Sequence, residues 1–251
     1  ITVEAVTGTQ HYTMPMFTDV APFDDVNVRL ALKYAIKREQ LVDILLAGYG
    51  QMGNDSPITP ANRYFNKEMP QRRYDPDKAR YHLKQAGLDK LSVKLHAADA
   101  AFPKAVDSAV LFSESAGKAG IDIQVVREPN DGYWSNVWPK KPFCTCFWSG
   151  RPTEDLMFTT AYAADSPWND AHWEHERFNK LLIEAKAELN DQKRAELYGE
   201  MQRICRDEGG TVVPMFAQIV EAHRDEVAYE KPLSGHMESD GQRNAERWWF
   251  K

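Results

Sequence analysis

The sequence is short of cysteine, has no long apolar run and carries no block of basic residues. Its three cysteines, Cys144, Cys146 and Cys205, are an odd number, and Cys-Thr-Cys matches neither zinc-finger nor thioredoxin-like spacing. Cysteine usage therefore does not give the compartment. No apolar stretch approaches the roughly 18 residues of a membrane-spanning helix, since charged residues interrupt each candidate. With 31 Lys and Arg against 37 Asp and Glu, the formal charge of −6 argues against a nucleic-acid backbone or an anionic membrane as partner. There is no Gly-x-Ser-x-Gly elbow, no Walker loop, no dinucleotide fingerprint, no internal repeat and no low-complexity block.

What remains is an ordinary globular composition, 43% hydrophobic over 251 residues, enough for one large domain or two small ones. Residue 1 is Ile, and Ile-Thr-Val-Glu-Ala-Val alternates like a strand interior, so the start reads as cut. Asp24-Asp25 supplies an N-cap for one amphipathic helix over 26–46, closed at Gly48. Residues 50–70, rich in Pro and Gly, form a long loop. Asp75-Pro76 opens a short helix that Gly87 ends.

Residues 91–97 alternate as a strand, 103–119 carry a helical period, and 121–126 alternate again. A crossover of that length joins parallel strands, which places the chain in the α/β class. A third strand is expected over 143–148, with Cys144 and Cys146 on one face as buried thiols. Helices follow over 174–188 and 191–207, the second capped by Asp191 and stopped at Gly209-Gly210. Thr211 to Phe216 reads as a buried strand, and the polar tail ends in Trp248-Trp249-Phe250.

The segment from Phe147 to Asp155 takes a strand end through a Gly/Pro turn into a capped helix. In open α/β sheets ligands sit outside the carboxyl ends of strands, so a site is expected here. Trp148 would give an apolar wall, Ser149 a neutral hydrogen bond, and Arg151 a fork for a carboxylate or phosphate. The bland alternative pairs Arg151 with Glu154 or Asp155. Trp168 and Asn169, near Trp173, are a second wall or simple packing. His172 and His175, three apart, would share a helix face with neighbouring carboxylates, which leaves a metal-dependent or acid/base hydrolase as a competing reading. The zincin order is absent in both directions.

Taken in order, Ala21-Pro22-Phe23-Asp24-Asp25-Val26-Asn27-Val28-Arg29 through Ala35-Ile36-Lys37-Arg38-Glu39-Gln40-Leu41-Val42, then Gly48-Tyr49-Gly50 with Pro57-Ile58, Tyr74-Asp75-Pro76, Trp148-Ser149-Gly150 and Val213-Pro214-Met215, the sequence resembles the family 5 bacterial extracellular solute-binding proteins. These are the dipeptide and oligopeptide receptors of ABC transporters. The resemblance implies a periplasmic-binding-protein-like lobe with a mixed sheet flanked by helices, incomplete relative to the two-lobed family. It divides the chain into a crossover strand over 1–10 from a first lobe that is missing here, a second lobe over 11–219, and a return segment over 220–251. It implies a periplasmic, non-enzymatic chain with no cofactor, no metal and no nucleic acid, whose partners are a small-molecule or peptide ligand, a permease and the first lobe. A non-catalytic α/β interaction lobe is the remaining alternative.

The candidate ligand-binding set is Tyr12, Trp148, Ser149, Arg151, Glu154, Asp155, Trp168 and Asn169. Peptide-binding members carry an acidic residue where this sequence has Arg151. The departure implies that Arg151 holds an acid group of the ligand, with Glu154 or Asp155 free for an amine. Because such a site is shared between lobes, binding by this chain alone is expected to be weak or absent.

Overall fold

The two longest strands pair with each other along most of their length. In the structure, a computed structural model that describes residues 1–251, β1 (Thr2–Pro15) pairs antiparallel with β6 (Thr211–His223), from Thr2 opposite His223 to Pro15 opposite Thr211. The inner halves of both strands are buried, while residues 2–6 and 217–223 are partly exposed. A register shift between Thr7 and His11 separates the two regimes, and a second lies between Tyr12 and Met14 within the buried half. The outer ribbon is backed by a small hairpin of β7 (Val227–Tyr229) and β8 (Trp248–Phe250), so the polar tail with its aromatic end pairs with itself. The Tyr229 hydroxyl donates to Glu4, and the Asp240 amide donates to Glu221 at 3.2 Å.

Around the inner halves the sheet order is β2 (Gly50–Met52), β6, β1, β5 (Cys146–Trp148), all antiparallel. The expected parallel unit is present: β3 (Leu91–Ala97) and β4 (Ile121–Arg127) pair from Leu91 opposite Ile121 to Ala97 opposite Arg127, and α4 (Ala105–Gly117) forms the crossover. Residues 143–145 join the two sheets through bridges from Phe143 to Met16 and from Cys144 to His96. Regular strand structure within 143–148 is therefore confined to its last three residues. Cys144, Cys146 and Cys205 are free and buried.

The helix expected over 26–46 is two helices, α1 (Val26–Tyr34) and α2 (Arg38–Leu45). The carbonyls freed at the break have tertiary partners: Asp75 N–H donates to Tyr34 O at 2.9 Å and the Ser115 hydroxyl to Ala35 O at 2.8 Å. The break also turns Arg38 inward onto Asp55, both buried, with two 2.8 Å contacts. Burial alone would raise the Asp55 carboxyl; Arg38 and Arg72 outweigh it and hold the group below the ordinary carboxylate range. Asp25 caps α1 as expected, and Asp75 caps α3 (Pro76–Gln85). The caps of α7 (Glu176–Ala187) and α8 (Asp191–Glu208) are His175 and, in place of the expected Asp191, Asn190, because those side chains accept from Phe178 N and Lys193 N.

The motif residues of 21–42 are largely structural. Arg29 donates to Phe23 O and Glu208 O, and the Lys33 ammonium donates to the carbonyls of Cys205, Arg206 and Gly209. Together they satisfy the carbonyl end of α8, where cations are favoured.

Candidate functional site

β5 is an edge strand, and the chain leaves it at Trp148 through Ser149-Gly150-Arg151 into α6 (Glu154–Ala161). Gly150 lies against Thr9 of β1 so closely that a side chain there would overlap it. The Arg151 guanidinium donates to Ser149 O at 2.9 Å, Ser149 Oγ at 3.1 Å and Gly150 O at 3.2 Å, all within its own turn. Neither Glu154 nor Asp155 pairs with it, and no ion pair in the molecule includes it.

Beside this turn an aromatic cleft of about 230 Å³ opens, lined by Trp134, Trp138, Trp148 and Trp168 together with Phe147, Cys146, Ser149 and Arg151. Ring centroids of Trp138, Trp148 and Trp168 lie 5.8–6.2 Å apart, and Trp134 stands edge-on to Trp138 at 5.8 Å. The indoles thus form one packed platform. Trp148 is buried at 6% exposure, while Trp168, 54% exposed, offers its ring to solvent. Larger hollows of about 910 Å³ between α7 and α8 and about 630 Å³ beside Thr18 and His172 are lined mainly by polar side chains. The aromatic cleft is smaller but combines an apolar wall with a convergent cation, the usual make-up of a ligand site.

Behind the platform Asp170 Oδ2 accepts from Trp138 Nε1 at 3.0 Å and from Trp148 Nε1 at 3.3 Å. Burial pushes its carboxyl up to about 6, against the pull of these hydrogen bonds. On the alternating face of β1, Thr9, His11 and Thr13 are buried, and Thr9 Oγ1, His11 Nε2 and Thr13 Oγ1 have no partner. Burial takes His11 down to about 4, with Arg151 pushing the same way. His11 is opposite Trp148 in the β1–β5 register, so this neutral layer lies directly beneath the turn.

Of the residues expected from sequence, Trp148, Ser149, Arg151 and Trp168 come together in one cleft. Four do not line it. Tyr12 is in the core, 6% exposed and stacked on Phe102 at 4.3 Å, because strand alternation turns it away from His11. Glu154 is also turned inward, and its Oε1 accepts from Tyr64 N at 2.7 Å, which corrects the expectation that it awaits an amine. Asp155 is half-buried and acts on Arg194 and Tyr198 of α8. Asn169 staples its loop by donating to Trp173 O at 2.8 Å and accepting from Trp173 N at 3.2 Å. Trp173 itself is core, packed on Phe178.

The two histidines do not share a helix face. His172 precedes α7 with a left-handed φ of 50°, stacks on Phe17 and meets Asp19 at 3.0 Å. His175 uses Nδ1 as the α7 cap and sets Nε2 3.2 Å from Glu208. No group of three or more His, Cys, Asp or Glu side chains is arranged around a cation position.

Sequence reasoning missed Trp134, Trp138 and Asp170. The four-residue spacing of the two tryptophans was a signal, since it returns both to one side of a helical turn, here α5 (Tyr133–Asn136) and the residues after it.

Residues 1–170 match the family described as bacterial extracellular solute-binding proteins, family 5 middle. The dipeptide-binding protein of Escherichia coli (strain K12) is 28% identical over 222 residues, covering 82% of this chain and 40% of the relative. Di/tripeptide-binding protein 3 of Pseudomonas aeruginosa (strain UCBPP-PA14) is 28% identical over 195 residues, 74% of this chain and 36% of its own length. The chain therefore spans about two-fifths of these relatives. Among solved structures, NikZ from Campylobacter jejuni in complex with Ni(L-His) superposes with a TM-score of 0.83 at 20% identity, over 100% of this chain and 53% of that one. The mixed sheet, its flanking helices and the matched 1–170 segment agree: the chain belongs to the bacterial extracellular solute-binding proteins of family 5.

Proposed function

We propose that this chain is the second lobe of a periplasmic receptor that captures a small polar, acid-bearing solute, a peptide or a related molecule, and delivers it to an ABC-transporter permease. In this proposal residues 11–219 form the lobe, while 1–10 and 220–251 are the strands and return segment that lead to a first lobe. The single observation behind the ligand class is Arg151: a guanidinium at the mouth of a tryptophan-walled cleft whose hydrogen bonds all go to neutral oxygens of its own turn. A bidentate carboxylate replaces such contacts with charge-assisted ones of roughly twice the strength. Trp148 and Trp168 would carry the apolar part of the solute, and Ser149 a hydrogen bond.

The mechanism is capture and closure, with no covalent step. Ligand held on this face favours the closed arrangement of two lobes by its differential contacts with that state. Calorimetric titration of the two-lobed receptor with acidic and neutral solutes tests the proposal. Arg151→Ala is expected to lower affinity for an acid-bearing solute 10-fold or more and to leave a neutral one unchanged. Full affinity of the variant for the acidic solute would overturn it.

A further inference from the structure

The wall of the cleft depends on one buried group. An indole N–H only donates, so Trp138 and Trp148 cannot satisfy each other and need an acceptor. Asp170, 9% exposed, provides it: a single oxygen, Oδ2, receives both indole nitrogens at 3.0 and 3.3 Å. The two rings come from different elements, the end of β5 and the turn after α5, and the carboxylate links them to the loop that carries Trp168. We infer that Asp170 is the positioning residue of the cleft, its carboxylate locking Trp138 and Trp148 into one wall and its protonation releasing that lock.

The chemistry follows from acceptor strength. Two N–H donors on one carboxylate oxygen are charge-assisted bonds, and adding a proton to the group leaves a weaker neutral acceptor. Burial has moved the carboxyl up to about 6, so the change falls within a mildly acidic range. The groups facing Asp170 are the two indoles and the Cys146 thiol, with the Cys144 thiol and Tyr162 hydroxyl at longer range. Burial raises the thiols and the phenol, so all stay neutral there, and no cation holds Asp170 ionised. An ionised carboxylate maintained inside the lobe without a countercharge is unfavourable for stability alone, and aligning two site tryptophans accounts for its presence.

The consequence for ligand binding rests on the cleft being the solute-facing surface; the lock itself does not, and its test uses the ligand-free chain. The seven tryptophans give seven indole N–H resonances in the ¹⁵N-labelled protein, with Trp138 and Trp148 assigned through Trp138→Phe and Trp148→Phe. Trp173 beside His175 and Trp248 beside His223 report histidine titration separately. Between pH 4.5 and 8 the Trp138 and Trp148 resonances are expected to shift together with a common midpoint near 6. In Asp170→Asn, which keeps an acceptor oxygen and cannot titrate, both should hold still. Resonances that stay fixed in the wild type, move with separate midpoints, or still titrate in Asp170→Asn overturn the inference. Should the variant not fold, a missing common midpoint in the wild type still refutes it.

Discussion

The backbone at Gly150 rests on Thr9: a Cβ at position 150 would stand 1.7 Å from Thr9 Oγ1 and 3.0 Å from the Thr9 carbonyl carbon. The crossing fixes where the Arg151 turn leaves the sheet, so the turn is set by β1 rather than by its own residues. Gly150→Ala is expected to destabilise the chain by about 1–3 kcal/mol through overpacking. Urea unfolding measures the loss, and an unchanged midpoint would show that the turn is free to move.

Asp55 is the hub of a buried charge cluster, bonded to Arg38, to Arg72 at 3.2 Å and to Val213 N at 3.0 Å. Asp55→Asn leaves the buried Arg38 guanidinium without a carboxylate and removes one of the two that Arg72 faces, the other being Asp207 at 2.8 Å, and its expected cost is about 3–5 kcal/mol. The depressed carboxyl contributes stability that is present above its ordinary value of 3.8 and is lost as pH falls through its lower folded value. The wild type is therefore expected to lose stability in acid more steeply than Asp55→Asn does.

These residues also show what was readable in advance. Helix ends announced themselves because capping chemistry is local: Asp25, Asp75-Pro76 and Gly87 stand where the structure uses them. The division at Ala35 was not readable, since its carbonyl is satisfied by Ser115, eighty positions away. The same holds at the site. Trp148, Ser149 and Arg151 follow from a strand running into a turn, but Trp134 and Trp138 reach the cleft only by packing. The inward rotation of Glu154 depends on the Tyr64 amide, ninety positions earlier. Strand alternation does sort Tyr12 from His11, yet which face is core is decided by Phe102.

His11 and Asp170 oppose each other in pH. Asp170 sits at about 6 against an ordinary 3.8, so the stability linked to it is present at low pH and lost as pH rises through 6. His11 sits at about 4 against 6.5, so its contribution is present above 6.5 and lost as pH falls through 4. Each shift corresponds to about 3 kcal/mol, and between pH 4 and 6 they offset. Relative to wild type, Asp170→Asn should become less stable on acidification from pH 6.5 to 4, and His11→Gln more stable. Denaturant unfolding at the two pH values separates them, and parallel profiles for all three proteins would refute the assignment.

The thiols of Cys144, Cys146 and Cys205 are buried and shifted upward by that burial, so the reactive thiolate is scarce. Iodoacetamide at pH 8 should label none of them in the folded chain and all three in urea, as counted by mass spectrometry. Rapid labelling of the native protein would contradict the burial of these thiols in the core.

The most direct measurement is a crystal structure of the two-lobed receptor with the solute that co-purifies with it. An acid group of that solute is expected on the Arg151 guanidinium and its apolar part against Trp148 and Trp168. A solute bound elsewhere, with Arg151 still turned onto Ser149 and Gly150, would contradict it.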